Sequence, residues 1–369
     1  MNRSVTTTPF PLLADPAGYV CCVWDLTRDA PRRSYWADLY RRHFPAMLDE
    51  GVKVAVADGG PEADARVRAQ ACRREFFDYL DRVEREPASF GHVDINVMAI
   101  QREALLRRHG FRDPYALLKD RETAAALSLL PTLLAAVDEL DDPRLAVQLA
   151  EGIFAGNIFD VGATQTLNLI RAGRIDFHAT RAKLRPRPWL IDDLDAWVDR
   201  LTAPPAPAGP PWRCAVVFVD NAGCDVVLGM IPFVRDLLRR GCDVILSANS
   251  TPALNDITHT ELATLIDRVG ALDAVIAGAW SEGRLELIAS GGGTPLIDLG
   301  RVAPPLAEAV ARGGVDLVVL EGMGRAVESN LTAAFTCDAL KIAMVKDPDV
   351  AAGLGGEVYD LVLRFAGVT

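Results

Sequence analysis

Asp220 and Asn221 close the apolar run "CAVVFVDN", and a third oxygen donor, Asp256, follows in "NSTPALND". Carboxylate and amide oxygens are the ligands that hard divalent ions such as Mg2+ or Mn2+ prefer. A carboxylate set beside buried valines needs a partner, so Asp220 has no good inert role. Asp256 has a second reading, as the N-cap of a helix beginning "ITHTEL". Further on, "EGMGRAVESN" puts Glu321, Gly322 and Arg325 in a glycine-rich turn whose N–H groups and guanidinium suit an anion. "CDALKIAMVKD" supplies Lys341 and Lys346. Lys341 lies inside the more apolar stretch and calls for an anionic partner, of which phosphate is a good example.

Competing chemistries fit less well. "EGMGRAV" has Val327 where a dinucleotide fingerprint needs glycine or alanine. "GGGT" at 291 is not followed by the lysine of a phosphate-binding P-loop, and reads as a loop beside the site. The histidines at 43, 92, 109, 178 and 259 form no HExxH and have no GxSxG companion. An aspartyl-phosphate mechanism like that of haloacid-dehalogenase phosphatases needs a second aspartate at position 222, where alanine stands. The seven cysteines (21, 22, 72, 214, 224, 242, 337) lack a CxxC and read as reduced thiols.

The elements that must position these residues fall into two groups. Up to about residue 200 the pattern is helical: "RSYWADLYRRHFPAMLDEG", "DARVRAQACRREFFDYLDRVEREP" and "ETAAALSLLPTLLAAVDELD" space apolar residues by three and four. "APPAPAGPP", residues 203–211, is a linker or surface crossing, within a boundary set at 201–211. From 212 to 369, "CAVVFVDNAG", "CDVILSANS", "LDAVIAGA" and "VDLVVLEGMG" read as buried strands alternating with helices. That predicts a parallel sheet and a Rossmann-like three-layer α/β/α domain. Ligands of such sheets sit beyond the strands' carboxyl ends. Those ends are Asp220-Asn221, Asn249-Ser250, Gly278 and Glu321-Gly322.

With 369 residues two domains are expected, and 39 basic against 50 acidic residues, net −11, argue against nucleic acid and anionic membranes as partners. No apolar stretch approaches the roughly 20 residues of a membrane span, and the N-terminus lacks a secretory h-region. The expected compartment is the cytoplasm. Oligomeric state is not legible.

"FVDNAGCDVVLGMIPFVRDLLRRGCDVILSANSTPALNDITHTEL", "LEGMGRAVESN" and "CDALKIAMVKD" together resemble the metal-dependent damage-control phosphatases, the domain of unknown function 89 family. The branch fused to pantothenate-kinase-like proteins is the most similar, and "FPLLADPAGYV", "HGFRDPY" and "FAGNIFDVGA" extend the likeness over nearly the whole chain. The resemblance implies hydrolysis of a small phosphometabolite, 4′-phosphopantetheine or its S-oxidised forms, with Mn2+, Co2+, Ni2+ or Mg2+ as cofactor. It implies a metal on Asp220, Asn221 and Asp256, with Asp220, Asp256 and Lys341 catalytic. Substrate contacts would come from Asn157, Asn249, Glu321, Gly322, Arg325 and Lys341, with Asn157 and Asp160 facing the cleft from a helical lid. Val161 stands where tryptophan is expected and Glu328 where histidine is common. Glu328 either pairs with Arg325 at three-residue helical spacing or contacts substrate. A carboxyl methyltransferase and a non-catalytic metabolite-binding protein are the alternative functions.

Overall fold

The computed structural model describes residues 6–158, 181, 183–203 and 210–368. Asp160, Val161 and residues 204–209 of the proline-rich stretch lie outside the described residues. The helical half opens with α1 (Ala30–Ala57), α2 (Glu62–Arg85), α3 (Ile95–Arg108), α4 (Ala116–Asp138) and α5 (Asp142–Ile158). The three predicted helical stretches lie within or across α1, α2 and α4. Asp29 caps α1, accepting from the Arg32 N–H, and Asp94 caps α3 in the same way from Val97.

Seven strands form one sheet: β1 (Ile191–Asp192), β2 (Cys214–Phe218), β3 (Asp243–Ala248), β4 (Leu285–Ala289), β5 (Leu317–Glu321), β6 (Asp338–Met344) and β7 (Leu361–Ala366). Their order is β1-β7-β6-β5-β2-β3-β4, parallel throughout except for the antiparallel pair β6/β7. Alternate residues of β2 serve opposite faces, as a strand's period of two demands. Ala215 and Val217 join an apolar cluster with α4 and α5, while Val216 and Phe218 join another with α1, α2 and α3. Each buried valine or phenylalanine contributes about 1.5–3 kcal/mol relative to exposure. Helices of the first half therefore cover both faces of a sheet built mainly by the second. The result is the expected α/β/α layering.

One predicted strand is a helix. Most of "LDAVIAGA" lies in Ala274–Ser281, a helix whose start is capped by Asp273, which accepts the Ile276 N–H at 3.0 Å. The strand beside β3 is instead the following "LELIA", β4. Gly278 is consequently no strand end. Another local expectation also shifts: Asp256 does not cap the next helix. Thr258 does, in a capping box with Glu261, over His259–Gly270. No described helix is long and apolar enough to cross a membrane.

Candidate active site

The chain runs from β2 to β3 and β4 on one side, then returns to place β5 on the other side of β2. Between β2 and β5 the strand order reverses, and a doubly wound sheet opens a crevice there. Asp220 lies just beyond the end of β2, and Glu321 ends β5. The Asp220 N–H donates to Glu321 Oε2 at 2.9 Å, tying the two strand ends together. Gly322 has φ +95°, and a Cβ there would overlap the Asp220 carboxyl, so the turn after β5 demands glycine.

The segment after β2 also pairs with the loop after β3. Asn221 bridges Asp256, the Ile257 N–H donates to the Asp220 carbonyl at 2.9 Å, and the Ala222 N–H donates to the Asn255 carbonyl at 3.0 Å. Asp256, far along the chain, is thus brought to the adjacent pair Asp220 and Asn221 by backbone pairing. Asn249, at the end of β3, donates its amide to Asp256 Oδ2 at 2.9 Å and to the Thr294 carbonyl at 3.0 Å. It positions Asp256 from behind.

A second layer of acid lies below. Asp225 opens a π-helical turn, Asp225–Met230, and its Oδ2 accepts from the side chains of Asn221 at 2.8 Å and Asn157 at 2.9 Å. Asn157, on α5, also donates to Glu321 Oε1 at 3.1 Å. Its own Oδ1 is buried with no partner among the described residues. Asp220, Asp225 and Glu321 bring carboxylate oxygens within 4.8 Å of one another, all buried. Burial pushes the Asp220 carboxyl well above the usual range; Arg325 opposes this, and Asp256 and Asp225 add to it. Glu321 is pushed up by burial and by the neighbouring Asp225 and Asp220.

Arg325 is the buried cation of this group. Its Nη1 pairs with Asp220 Oδ1 and its Nη2 with Asp256 Oδ2 at 2.8 Å. Burial opposes its charge, but Asp256 and Asp220 outweigh that and raise its pKa. One guanidinium against four buried carboxyls leaves an excess of oxygen donors. That donor set fits a hard divalent cation.

Above the cluster opens a cleft of about 690 Å³. Asp220, Asn221, Asp256, Gly324 and Lys346 line one end. Tyr35, Leu39, His43 and Met47, four residues apart on α1, form a long wall. At 1.5 Å per residue that wall runs for roughly 18 Å. It is strapped down by Tyr35 Oη to Asp347 at 2.8 Å and Arg32 Nε to Asp349 at 2.8 Å.

Residues 41–362 match the family described as the damage-control phosphatase ARMT1-like domain. The chain belongs to this damage-control phosphatase family. It is 37% identical over 380 residues to a damage-control phosphatase of Arabidopsis thaliana, covering 99% of both chains. It is 34% identical over 403 residues to the 4′-phosphopantetheine phosphatase of Mus musculus, covering 96% of this chain and 48% of that one. Pantothenate kinase 2 of Arabidopsis thaliana is 38% identical, with 98% of this chain and 42% of the relative covered. The chain thus spans about half the length of these last two curated relatives. A crystal structure of a DUF89-family protein from Pyrococcus horikoshii shares the fold, with TM-score 0.57 and 16% identity over 89% of this chain and 96% of that one.

Within this member of the family, Asp220, Asn221 and Asp256 meet at the cleft, and Glu321 supports them from the adjoining strand end. Asn157 lies behind them as a brace between Asp225 and Glu321. Arg325 faces the carboxylates, so its expected pairing with Glu328 does not form. Lys341 sits in mid-strand on β6, buried, its ammonium donating to the carbonyls of Leu331 at 2.9 Å and Ala333 at 2.5 Å. It does not line the cleft; Lys346, two residues beyond β6, does. Burial, with Arg364 nearby, pushes Lys341 down to about 7. Asp225 and Lys119 escape a reading by motif. Lys119, buried on α4, holds Asp113 and Glu261 at 2.7 Å each and donates to the Asp256 carbonyl at 3.4 Å.

Proposed function

We propose that the protein is a divalent-metal phosphomonoesterase acting on an extended phosphometabolite such as 4′-phosphopantetheine or its S-oxidised forms. The observation that carries this reading is the buried carboxylate cluster at the strand-order reversal, opening into a cleft lined by Asp220, Asn221, Asp256 and Lys346. Asp220, Asn221 and Asp256 would hold the ion. An ion there supplies Lewis acidity to the phosphate and to the attacking water. Asp225 and Glu321 fix the orientation of Asn221 and Asp220 through the hydrogen bonds of Asn157 and the strand-end backbone. Asp220 or Asp256 orients the water and accepts its proton.

Lys346 offsets the phosphate's charge from the side of β6, where its own charge already acts on Asp220. Arg325 sets the charge balance of the two carboxylates. The apolar and aromatic wall of α1 takes the organic chain, and the helical half closes over it as a lid. The names of the relatives support phosphate hydrolysis over methyl transfer or non-catalytic binding.

Purified protein is expected to release phosphate from 4′-phosphopantetheine, to lose this on chelation, and to regain it with Mn2+, Co2+, Ni2+ or Mg2+. No release with any of these ions would refute the reading. The two lysines separate in the same assay. Lys346→Met is expected to cost about 2–4 kcal/mol in kcat/KM with metal affinity kept. A greater loss in Lys341→Met than in Lys346→Met would return the phosphate role to Lys341.

A further inference from the structure

Glu328 stands apart from the acid cluster. It closes the π-helical turn Met323–Glu328 and lines the cleft in company with Tyr40, Arg102 and Asp347. Its side chain is buried, and no described residue hydrogen-bonds its carboxyl. Arg325, on the same turn, is held by Asp220 and Asp256. With no partner among the described residues and a place on the cleft lining, its carboxyl is open to a group bound in the cleft.

We infer that Glu328 determines specificity: its carboxyl meets an uncharged amide of the substrate's organic chain. This rests on the phosphatase reading of the same cleft. The charge environment agrees with the geometry. Burial, then Asp347 and Asp349, push the Glu328 carboxyl up to about 8, which leaves it a neutral acid near pH 7. A neutral carboxyl offers one O–H donor and one carbonyl acceptor, the complement of a secondary amide's C=O and N–H.

The titratable groups around it come from every neighbouring element. Tyr40 of α1 and Cys22 of the N-terminal segment feel its charge, and Asp347 and Asp349 act from the loop and helix after β6. Arg102 of α3, His43 of α1 and Lys346 line the same cleft. As pH rises through about 8, Glu328 ionises, its donor is lost, and a further negative charge appears beside Asp347.

Two variants of the full chain, E328L and E328Q, test this with 4′-phosphopantetheine and with p-nitrophenyl phosphate, which has no amide. E328L is expected to raise KM for 4′-phosphopantetheine by about tenfold or more, and to lose about tenfold less on p-nitrophenyl phosphate. E328Q, which keeps a donor and an acceptor, is expected to recover KM to within about threefold and to abolish the wild-type rise in KM above about pH 8. Equal losses on both esters, an E328Q as impaired as E328L, or an unchanged alkaline rise in E328Q would each overturn the inference. If wild-type protein releases phosphate from neither ester, the phosphatase reading fails instead. Calorimetry with pantetheine then decides for Glu328: weaker binding to E328L than to wild type upholds the amide contact, and equal binding overturns it.

Discussion

Asp220→Ala is expected to abolish phosphate release, by about a thousandfold or more, and to weaken divalent-ion binding while leaving the fold intact. The side chain can be removed without unpicking the crevice, because the backbone of residue 220 makes the structural contacts. Its N–H meets Glu321 and its carbonyl accepts from Ile257. Arg325 keeps Asp256 as a partner. One buried carboxyl fewer also relieves the crowding that pushes Glu321 up. Calorimetric titration with Mn2+ and a thermal melt check the two halves of the expectation. Unchanged metal affinity in the variant would put the ion elsewhere, and a collapsed melt would make Asp220 a folding residue.

Asp220 was legible in the sequence because a short β-branched run ending on a carboxylate leaves few alternatives. β2 and β5 are continuous apolar runs of the kind that a parallel, doubly covered strand requires; Glu321 ends β5, and Asp220 follows just beyond the end of β2. The helix at Ala274–Ser281 shows the limit of that signal. Its apolar run is as short as a strand's, and periodicity alone does not separate the two. The deciding features were local: Asp273 as a cap, an alanine-rich interior, and the following turn at Gly283 with φ +73° before "LELIA".

Lys341 shows a different limit. An apolar flank signals burial, but burial alone does not put a lysine beside a phosphate. In a parallel α/β sheet, however, chemistry gathers beyond the strand's end. Lys341 is in the body of β6, where main-chain carbonyls receive its ammonium, whereas Lys346 has passed the end and reaches the cleft. Asp225 was obscured by its position four residues after Asn221, where an acid at the start of a helix reads as dipole compensation. Only the closeness of α5, which brings Asn157 against it, reveals it as part of the site.

Arg325 was the least legible of all. Local spacing favoured Glu328 as its partner, three residues on. Its actual partners lie 105 and 69 residues away, brought in by the strand-order reversal and by the pairing of Asn221 with Asp256. These long-range contacts set up the second large effect. Arg325→Met keeps much of the side chain's length and apolar stem but removes the buried cation between Asp220 and Asp256. Breaking a buried pair by removing one partner costs about 3–5 kcal/mol, because the other charges stay buried without compensation. Metal-free Arg325→Met is therefore expected to melt several degrees below wild type. A divalent ion that binds the folded state restores stability in proportion to its affinity. With the guanidinium gone, the carboxylates are more negative, so Mn2+ should bind more tightly and raise the melting temperature further in the variant than in wild type. Thermal melts across a Mn2+ titration measure both quantities. A variant that melts with wild type without metal, or that gains no more from Mn2+, would mean that Arg325 does not supply the balancing charge of the metal-free site.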